Sequence, residues 1–408
     1  MFQPVESSPW DVFSATFQAD PYPTYARIRE ESPVLPLARG PLRFVLLSRY
    51  DDCVAVLRDP RFSAMKFPEG LVTLALHGPD PDLASLARVV SNVMLVKDGP
   101  DHARLRALVN KAFTPRVVEA LRDRIETLVQ ELLDEADRRG GLELIHDFAS
   151  PLPVAVIAEL LGLPARDRRQ VKTWSDALVP VLDGTLRDAH LATVASAASE
   201  FRAYLKDVVE QRRKDPGDDL LSGMIAAHEH DDALTEDELL ASAILLLGAG
   251  HETTTNLIGN GMLALLRHPA ELARLGRDRS LVKGAVEELL RFDSPVQTTS
   301  RVAKEDVEIR GVRIPAGIEV NTLIGSANRD PAQFPEPDRL DLGRADVRHL
   351  AFGHGPHFCL GASLARLEAQ IAFERLLHRF PKIEQSAEPR HKPGLVLRGL
   401  EELRLEVG

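Results

Sequence analysis

Phe352-Gly353-His354-Gly355-Pro356-His357-Phe358-Cys359-Leu360-Gly361-Ala362 leads straight into an apolar, helix-favouring run over residues 360–377. Two glycines and a proline ahead of the cysteine predict a tight, non-helical loop. Cys359, one of two cysteines in the chain, then stands where a helix begins. Unpaired amides at a helix start stabilise negative charge, so the expectation is a thiolate of depressed pKa. The small residues Gly353, Gly355, Gly361 and Ala362 would let a flat ligand come close to the backbone. A thiolate in such a place is either a nucleophile or a metal ligand.

Working outward from this loop, helical periodicity dominates. The predicted helices cover 23–31, 50–58, 101–113, 115–139, 151–161, 165–182, 189–214, 235–267, 281–292 and 360–380. Strand signals are sparser: 43–47, a hairpin over 307–314, 319–323, and two stretches near Leu395 and Leu403. Prolines 331, 335 and 337 predict a compact coil over 331–344. The 408 residues contain no low-complexity tract or linker at which the chain would divide. A single two-lobed unit over 1–408, mainly α with a small β region, is therefore expected.

Composition narrows the function. A formal charge of −11, with no basic stripe carrying aromatics, argues against a nucleic-acid binder. Two cysteines cannot build a disulfide framework, which points to a reducing, cytoplasmic setting. Cys53 lies on an amphipathic pattern and reads as an inert core thiol. The first residues show neither signal peptide nor anchor. The longest apolar run, 239–250, is 12 residues, short of the roughly 20 that cross a bilayer.

The predicted helix over 235–267 is unusual at its middle: Leu245-Leu246-Leu247-Gly248-Ala249-Gly250-His251-Glu252-Thr253-Thr254-Thr255. Two glycines and three β-branched threonines are poor helix formers there. Conflict between a local choice and the fold often marks a functional site. The glycines admit a ligand, and the acid and hydroxyls can relay protons. Taken alone, the threonines could equally bond back to carbonyls one turn earlier. Elsewhere Glu288 and Arg291 sit three apart on a helical run. His102 and Arg106 share one helix face, four apart, and Arg301 follows a short extended segment.

The loop resembles the haem-binding segment of the cytochrome P-450 monooxygenases, Phe-x-x-Gly-x-x-x-Cys-x-Gly, with Phe352, Gly355, Cys359 and Gly361 at every fixed position. Ala249-Gly250-His251-Glu252-Thr253-Thr254 resembles the family's acid–alcohol motif, and matching stretches run along essentially the whole chain. The resemblance implies the P-450 fold, with haem b held between the long central helix and the cysteine helix. Cys359 would be the axial ligand of haem iron, with Phe352, Gly353, Ala249 and Gly361 against the cofactor. His102, Arg106, Arg301 and His357 would bind the propionates. Thr253 would hold water or oxygen and Glu252 would serve proton delivery. Glu288 and Arg291, joined by Arg339, would brace the cysteine loop.

By the same resemblance, Val93, Met94, Leu95, Leu245, Gly248, Val296, Thr298 and Val396 would line the substrate pocket, under a lid formed by helices around 178–191. The implied reaction is hydroxylation of an apolar molecule with dioxygen, the substrate being a macrolide, terpenoid, fatty acid or xenobiotic. No flavin or iron–sulfur module is visible, so electrons would come from a separate ferredoxin or flavodoxin. Arg104, Lys111, Arg116, Arg344, Arg348 and Arg366 are expected to form its docking patch. Three other readings remain at this point: a zinc site from His354, His357 and Cys359, a Cys–His hydrolase, and a non-catalytic haem sensor.

Overall fold

The computed structural model describes residues 12, 14–39, 42–65, 69–110, 113–183, 186, 188–231 and 234–408. Lys111, and parts of the expected helix 101–113 and of the lid region, fall outside them.

The fold is organised on one helix, Glu236–Arg267, 32 residues long. Its start is fixed by a capping box. The Glu238 backbone N–H donates to the Thr235 hydroxyl at 3.2 Å, and the Thr235 N–H donates to the Glu238 carboxylate at 2.9 Å. His268 and Pro269 end it. Most of this helix is buried on every side, because helices pack all around it. Gly259 and Gly261 permit that packing: a Cβ on either would come within 2.7 Å of Ile145 or Phe373. Against it lie Pro151–Leu160, Pro81–Asn92, Arg168–Leu182 (called the lid helix below because its end enters the expected lid region), Val282–Phe292 and the cysteine helix Ala362–Arg379.

A small β region sits to one side. Its main sheet runs Val34–Arg39, Leu42–Leu47, Glu319–Leu323, Thr298–Ala303, Phe62–Ser63 in spatial order. The Leu42–Leu47/Glu319–Leu323 pair is parallel, and the other neighbours are antiparallel. Separate hydrophobic clusters serve the helical part and the sheet part, the physical content of the two-lobed expectation. Cys53 is fully buried in the sheet-side cluster, as expected of an inert thiol.

Most predicted helices are present within a few residues. The expected 115–139 helix is divided into Pro115–Ala120 and Arg122–Arg139 at Leu121. Glu69–His77, Pro81–Asn92, Leu220–Asp231 and Pro269–Arg277 were not predicted. The C-terminal strands form at Ile383–Gln385, Arg390–His391, Leu400–Glu402 and Arg404–Val407, while near Leu395 there is an isolated bridge between Val296 and Leu397. The coil over 331–344 contains no regular element.

Candidate haem site

Gly353 and Gly355 adopt φ of 71° and 70°, a left-handed backbone that favours glycine. Gly355 is constrained further, since a Cβ there would lie 2.5 Å from the Leu57 carbonyl oxygen. The turn closes through the Cys359 N–H donating to the Phe352 carbonyl at 2.8 Å. The cysteine helix then begins at Ala362 with Gly361 as its cap. Cys359 is exposed and lines a cavity of about 310 Å³ to which both lobes contribute. Burial among protein atoms pushes the thiol above its ordinary pKa, against the opposing pull of the Gly361 N–H, Arg106 and Arg366. The expected depression by helix amides is thus outweighed by desolvation.

One wall of the cavity carries four nitrogen bases. His102 and Arg106 come from the helix Gly99–Asn110, Arg301 from the strand Thr298–Ala303, and His357 from the cysteine loop. The His102 and His357 rings lie 4.0 Å apart. Arg301 is 6% exposed, and its recorded hydrogen bond goes to the Ser300 carbonyl at 2.8 Å. Arg106 donates to the Phe358 carbonyl at 2.6 Å. Neither arginine has a carboxylate in ion-pair range among the described residues, and His102 Nε2 is buried without a partner. Burial and the neighbouring cations hold His357 down, to about 3. Buried charges are ordinarily paired. Asp98 acts on His102, Arg301 and His357 without an ion pair to either arginine, so this wall is short of anions, and the two carboxylates of a haem edge would supply that chemistry.

The opposite face is the central helix, which presents Leu245, Leu246, Ala249, Gly250, Thr253, Thr254 and Leu257. All three threonine hydroxyls donate one turn back: Thr253 to the Ala249 carbonyl at 3.0 Å, Thr254 to Gly250 at 3.3 Å, Thr255 to His251 at 2.9 Å. The back-bonding alternative and the pocket-facing one hold together for Thr253 and Thr254. Glu252 points away from the cavity. Its carboxylate accepts from Lys392 Nζ at 2.7 Å and Asn256 Nδ2 at 3.2 Å. Glu252 is absent from the cavity lining, and its ion-pair partner Lys392 is partly exposed to solvent.

Sequence reasoning missed Lys392 and a second tie. His251 bonds the Leu247 carbonyl through Nδ1 (2.8 Å) and Asp176 of the lid helix through Nε2 (3.0 Å). The same lid helix ends at Asp183, which accepts from the Val396 and Leu397 amides at 3.0 and 2.7 Å. Neither pairing has a signal in local spacing, since the partners are far apart in the chain.

Glu288 and Arg291 are both fully buried and joined through two hydrogen bonds of 2.7 and 2.8 Å. Arg291 also donates to the Asn328, Pro337 and Arg339 carbonyls. The expected third member is corrected here. Arg339 contributes only its backbone, its side chain being exposed and turned to Glu336. Arg344 supplies the second guanidinium on Glu288, at 3.1 Å. The reason is steric: the coil delivers the Arg344 side chain inward, 12% exposed, and the Arg339 side chain outward, 61% exposed.

Of the expected substrate residues, Met94, Leu95, Leu245 and Val296 line the main cavity. Thr298 does not: its hydroxyl donates to the Thr322 carbonyl within the sheet, and strand alternation turns Thr299 to the cavity instead. Val396 is spent on the Asp183 contact and lines neither cavity. Val93 and Gly248 belong to a second, apolar cavity of about 80 Å³ under the lid helix, with Leu95 and Leu245 shared between the two.

The fold and site together fit a haem-thiolate protein, in which Cys359 would hold the metal and the threonine-bearing helix lines the same cavity. The chain matches the cytochrome P450 family model over residues 18–401 and belongs to that family. It is 44% identical to cytochrome P450 107B1 of Saccharopolyspora erythraea, covering 97% of both chains. It is 42% identical to vitamin D(3) 25-hydroxylase of Pseudonocardia autotrophica, covering 98% of this chain and 96% of that one. The structure superposes with a TM-score of 0.90 on P450BioI solved with a hexadec-9Z-enoic acid-ligated acyl carrier protein, at 39% identity over 97% of this chain and 100% of that one. The chain is a bacterial-type monooxygenase, an oxidoreductase that incorporates oxygen from dioxygen. No described helix is long and apolar enough to cross a membrane.

Replacing Arg301 tests the propionate wall. A hydrogen bond to a charged group contributes about 1.5–3 kcal/mol. Arg301→Gln should therefore release haem to an acceptor globin roughly 10- to 100-fold faster, measured by absorbance. An unchanged rate would show that this arginine does not hold the cofactor.

Proposed function

We propose that residues 1–408 form one catalytic unit. It binds haem b through Cys359 and hydroxylates an extended apolar molecule of secondary metabolism, with electrons from a separate ferredoxin or flavodoxin. The observation that carries this is the opposition of Cys359 and Thr253 across one cavity whose basic wall is short of anions. Haem, when bound, supplies dioxygen binding and reduction. The residues of this chain supply the rest. Cys359 holds the metal, the four nitrogen bases anchor the propionates, and Thr253 holds water beside the reacting face. Glu252 and Lys392 connect that region to solvent, and Met94, Leu95, Leu245, Leu246 and Val296 keep it apolar.

The family match covers residues 18–401, and the electron donor in this reading is a separate protein. The docking patch expected for it is altered by the structure. Arg104, Arg344, Arg348 and Arg366 already pair with Glu238, Glu288, Asp346 and Glu287. Arg116 is exposed and remains available to an acidic partner. The decisive experiment for the class is the absorbance of reduced, carbon-monoxide-treated protein. A strongly red-shifted Soret band supports the thiolate reading, and its absence from freshly haem-loaded protein overturns it.

An extended substrate is favoured by the second cavity. Leu95 and Leu245 separate it from the haem chamber, and no atom lies within 4 Å of a Cβ built on Gly248. The relatives named for vitamin D(3) and for an acyl-chain ligand are in keeping with long apolar substrates. Gly248→Leu fills this space and, as a helix former, does not weaken the helix. The expected result is at least ~10-fold weaker binding of long ligands, about 1.4 kcal/mol, with short ligands unaffected, read from the spin-state shift. Equal binding of long ligands would place them elsewhere.

A further inference from the structure

The titratable groups of the haem cavity all belong to its cysteine and propionate sides. His102 and Arg106 reach it from the helix Gly99–Asn110 and Arg301 from the strand Thr298–Ala303. Glu368, whose Oε2 is buried without a partner, reaches it from the cysteine helix. The rest are side chains of the cysteine loop. The other side is bounded by Met94 and Leu95, by the central helix from Leu245 to Leu257, and by residues 295–299, and none of those lining side chains ionises. The second cavity is stricter still: every described residue on its wall is leucine, valine, isoleucine or glycine.

Three hydroxyls line the haem cavity. Those of Thr253 and Thr254 donate back to the Ala249 and Gly250 carbonyls. The Thr299 hydroxyl makes no hydrogen bond among the described residues, although the Thr299 carbonyl accepts from Thr322. Strand alternation puts Thr299 on the face of Arg301, about 7 Å along the strand. The free hydroxyl therefore stands where the propionate wall gives way to the aliphatic chamber.

We propose that the substrate is an uncharged aliphatic molecule with one oxygen function, a hydroxyl or carbonyl, held by the Thr299 hydroxyl while its hydrocarbon tail runs past Leu95 and Leu245 into the second cavity. The inference rests on the extended-substrate reading above and adds polarity and direction to it. A carboxylate or ammonium lying beyond Arg301 meets no counter-ion among the described residues, and burying an unpaired charge is costly. Arg106 and Arg301 do not serve a substrate acid, because the haem carboxylates occupy them in that reading. A threonine hydroxyl accepts from an alcohol or donates to a carbonyl equally well, and a single polar group in an apolar wall fixes orientation. The oxidised C–H bond then lies inside the chain, since the tail tip sits behind Leu95 and Leu245. One oxygen atom of dioxygen enters that bond. The other leaves as water, with two protons and with two electrons from the separate donor protein.

The test uses the haem-loaded parent, Thr299→Val and Thr299→Ser with three probes of one chain length: dodecanol, ionised dodecanoate, and dodecyl chloride, which lacks a strong hydrogen-bonding group. Binding is read by equilibrium dialysis and by the spin-state shift. The parent should bind dodecanol at least ~10-fold more tightly than dodecanoate, whose charge is left unpaired. Thr299→Val keeps the shape of the side chain and should weaken dodecanol roughly 5-fold, the size of one neutral hydrogen bond. Its binding of dodecyl chloride should equal the parent's, and its hydroxylation of dodecanol should spread over several carbons. Thr299→Ser should restore both affinity and position. The urea midpoint of Thr299→Val should not fall, because the hydroxyl bonds nothing in the protein, whereas a structural role would lower it.

Equal affinity of the parent for dodecanoate and dodecanol, or unchanged dodecanol binding in Thr299→Val, would overturn the proposal. Gly248→Leu separates it from the reading beneath. If that change weakens dodecanol and Thr299→Val does not, only the Thr299 anchor falls. If Gly248→Leu leaves dodecanol untouched, or no probe binds the parent, the extended-substrate reading falls and takes the anchor with it.

Discussion

Cys359→Ser should abolish the red-shifted Soret band of the carbon-monoxide-treated, reduced protein and lower turnover at least ~10³-fold, about 4 kcal/mol on the barrier. Serine fits the same turn: the loop is shaped by Gly353, Gly355 and the bond from the residue-359 amide to the Phe352 carbonyl. The change is therefore chemical, not architectural. A hydroxyl is a harder, far less acidic donor than a thiol and does not place an anion on the metal at neutral pH. Thiolate electron density is what favours O–O cleavage in this class. The wall of His102, Arg106, Arg301 and His357 is untouched, so some haem should still bind. A variant that keeps both the band and the turnover would show that sulfur is not the axial ligand.

Arg291→Ala should destabilise the protein by about 3–5 kcal/mol, the usual effect of breaking a buried pair by removing one member. Its side chain and that of Glu288 are wholly excluded from solvent. Without Arg291, Glu288 keeps only Arg344 and the Asp341 amide, and the carbonyls of Asn328, Pro337 and Arg339 lose their Arg291 donor. Those carbonyls pin the proline-rich coil that precedes the cysteine loop. Haem retention should therefore fall along with the urea midpoint. Arg291→Lys should rescue little, because an ammonium cannot reproduce the two-point contact with Glu288. A double change of Arg291 and Glu288 to apolar residues should cost less charge imbalance but still free the coil. Full stability in Arg291→Ala would mean that the coil is held by other contacts.

Much of this was legible without coordinates because it is local. The glycine–proline turn, the helix over 235–267 and the three-residue spacing of Glu288 and Arg291 each depend on neighbours within one or two turns. The chemistry of the cysteine loop and of Ala249–Thr254 was legible through resemblance, which links those motifs to haem. The errors fall where the answer depends on which way a coil or strand presents its side chains. Arg339 and Arg344 lie five residues apart in an irregular segment, and no periodicity says which one turns inward. Thr298 and Thr299 differ by a single position on a strand whose register is set by its pairing with Glu319–Leu323.

By itself the sequence determined the class of helices, the turn that carries the sulfur, and the residue types needed for haem and proton chemistry, since spacing along one chain governs all of these. Only the tertiary structure decided that Glu252 faces Lys392, that Asp176 ties the lid to His251, and that Glu368 sits unpaired in the cavity wall. The physical reason is that burial and electrostatic partnership are properties of space. A carboxylate is a surface charge, an ion-pair member or a neutral acid according to what the rest of the chain packs against it.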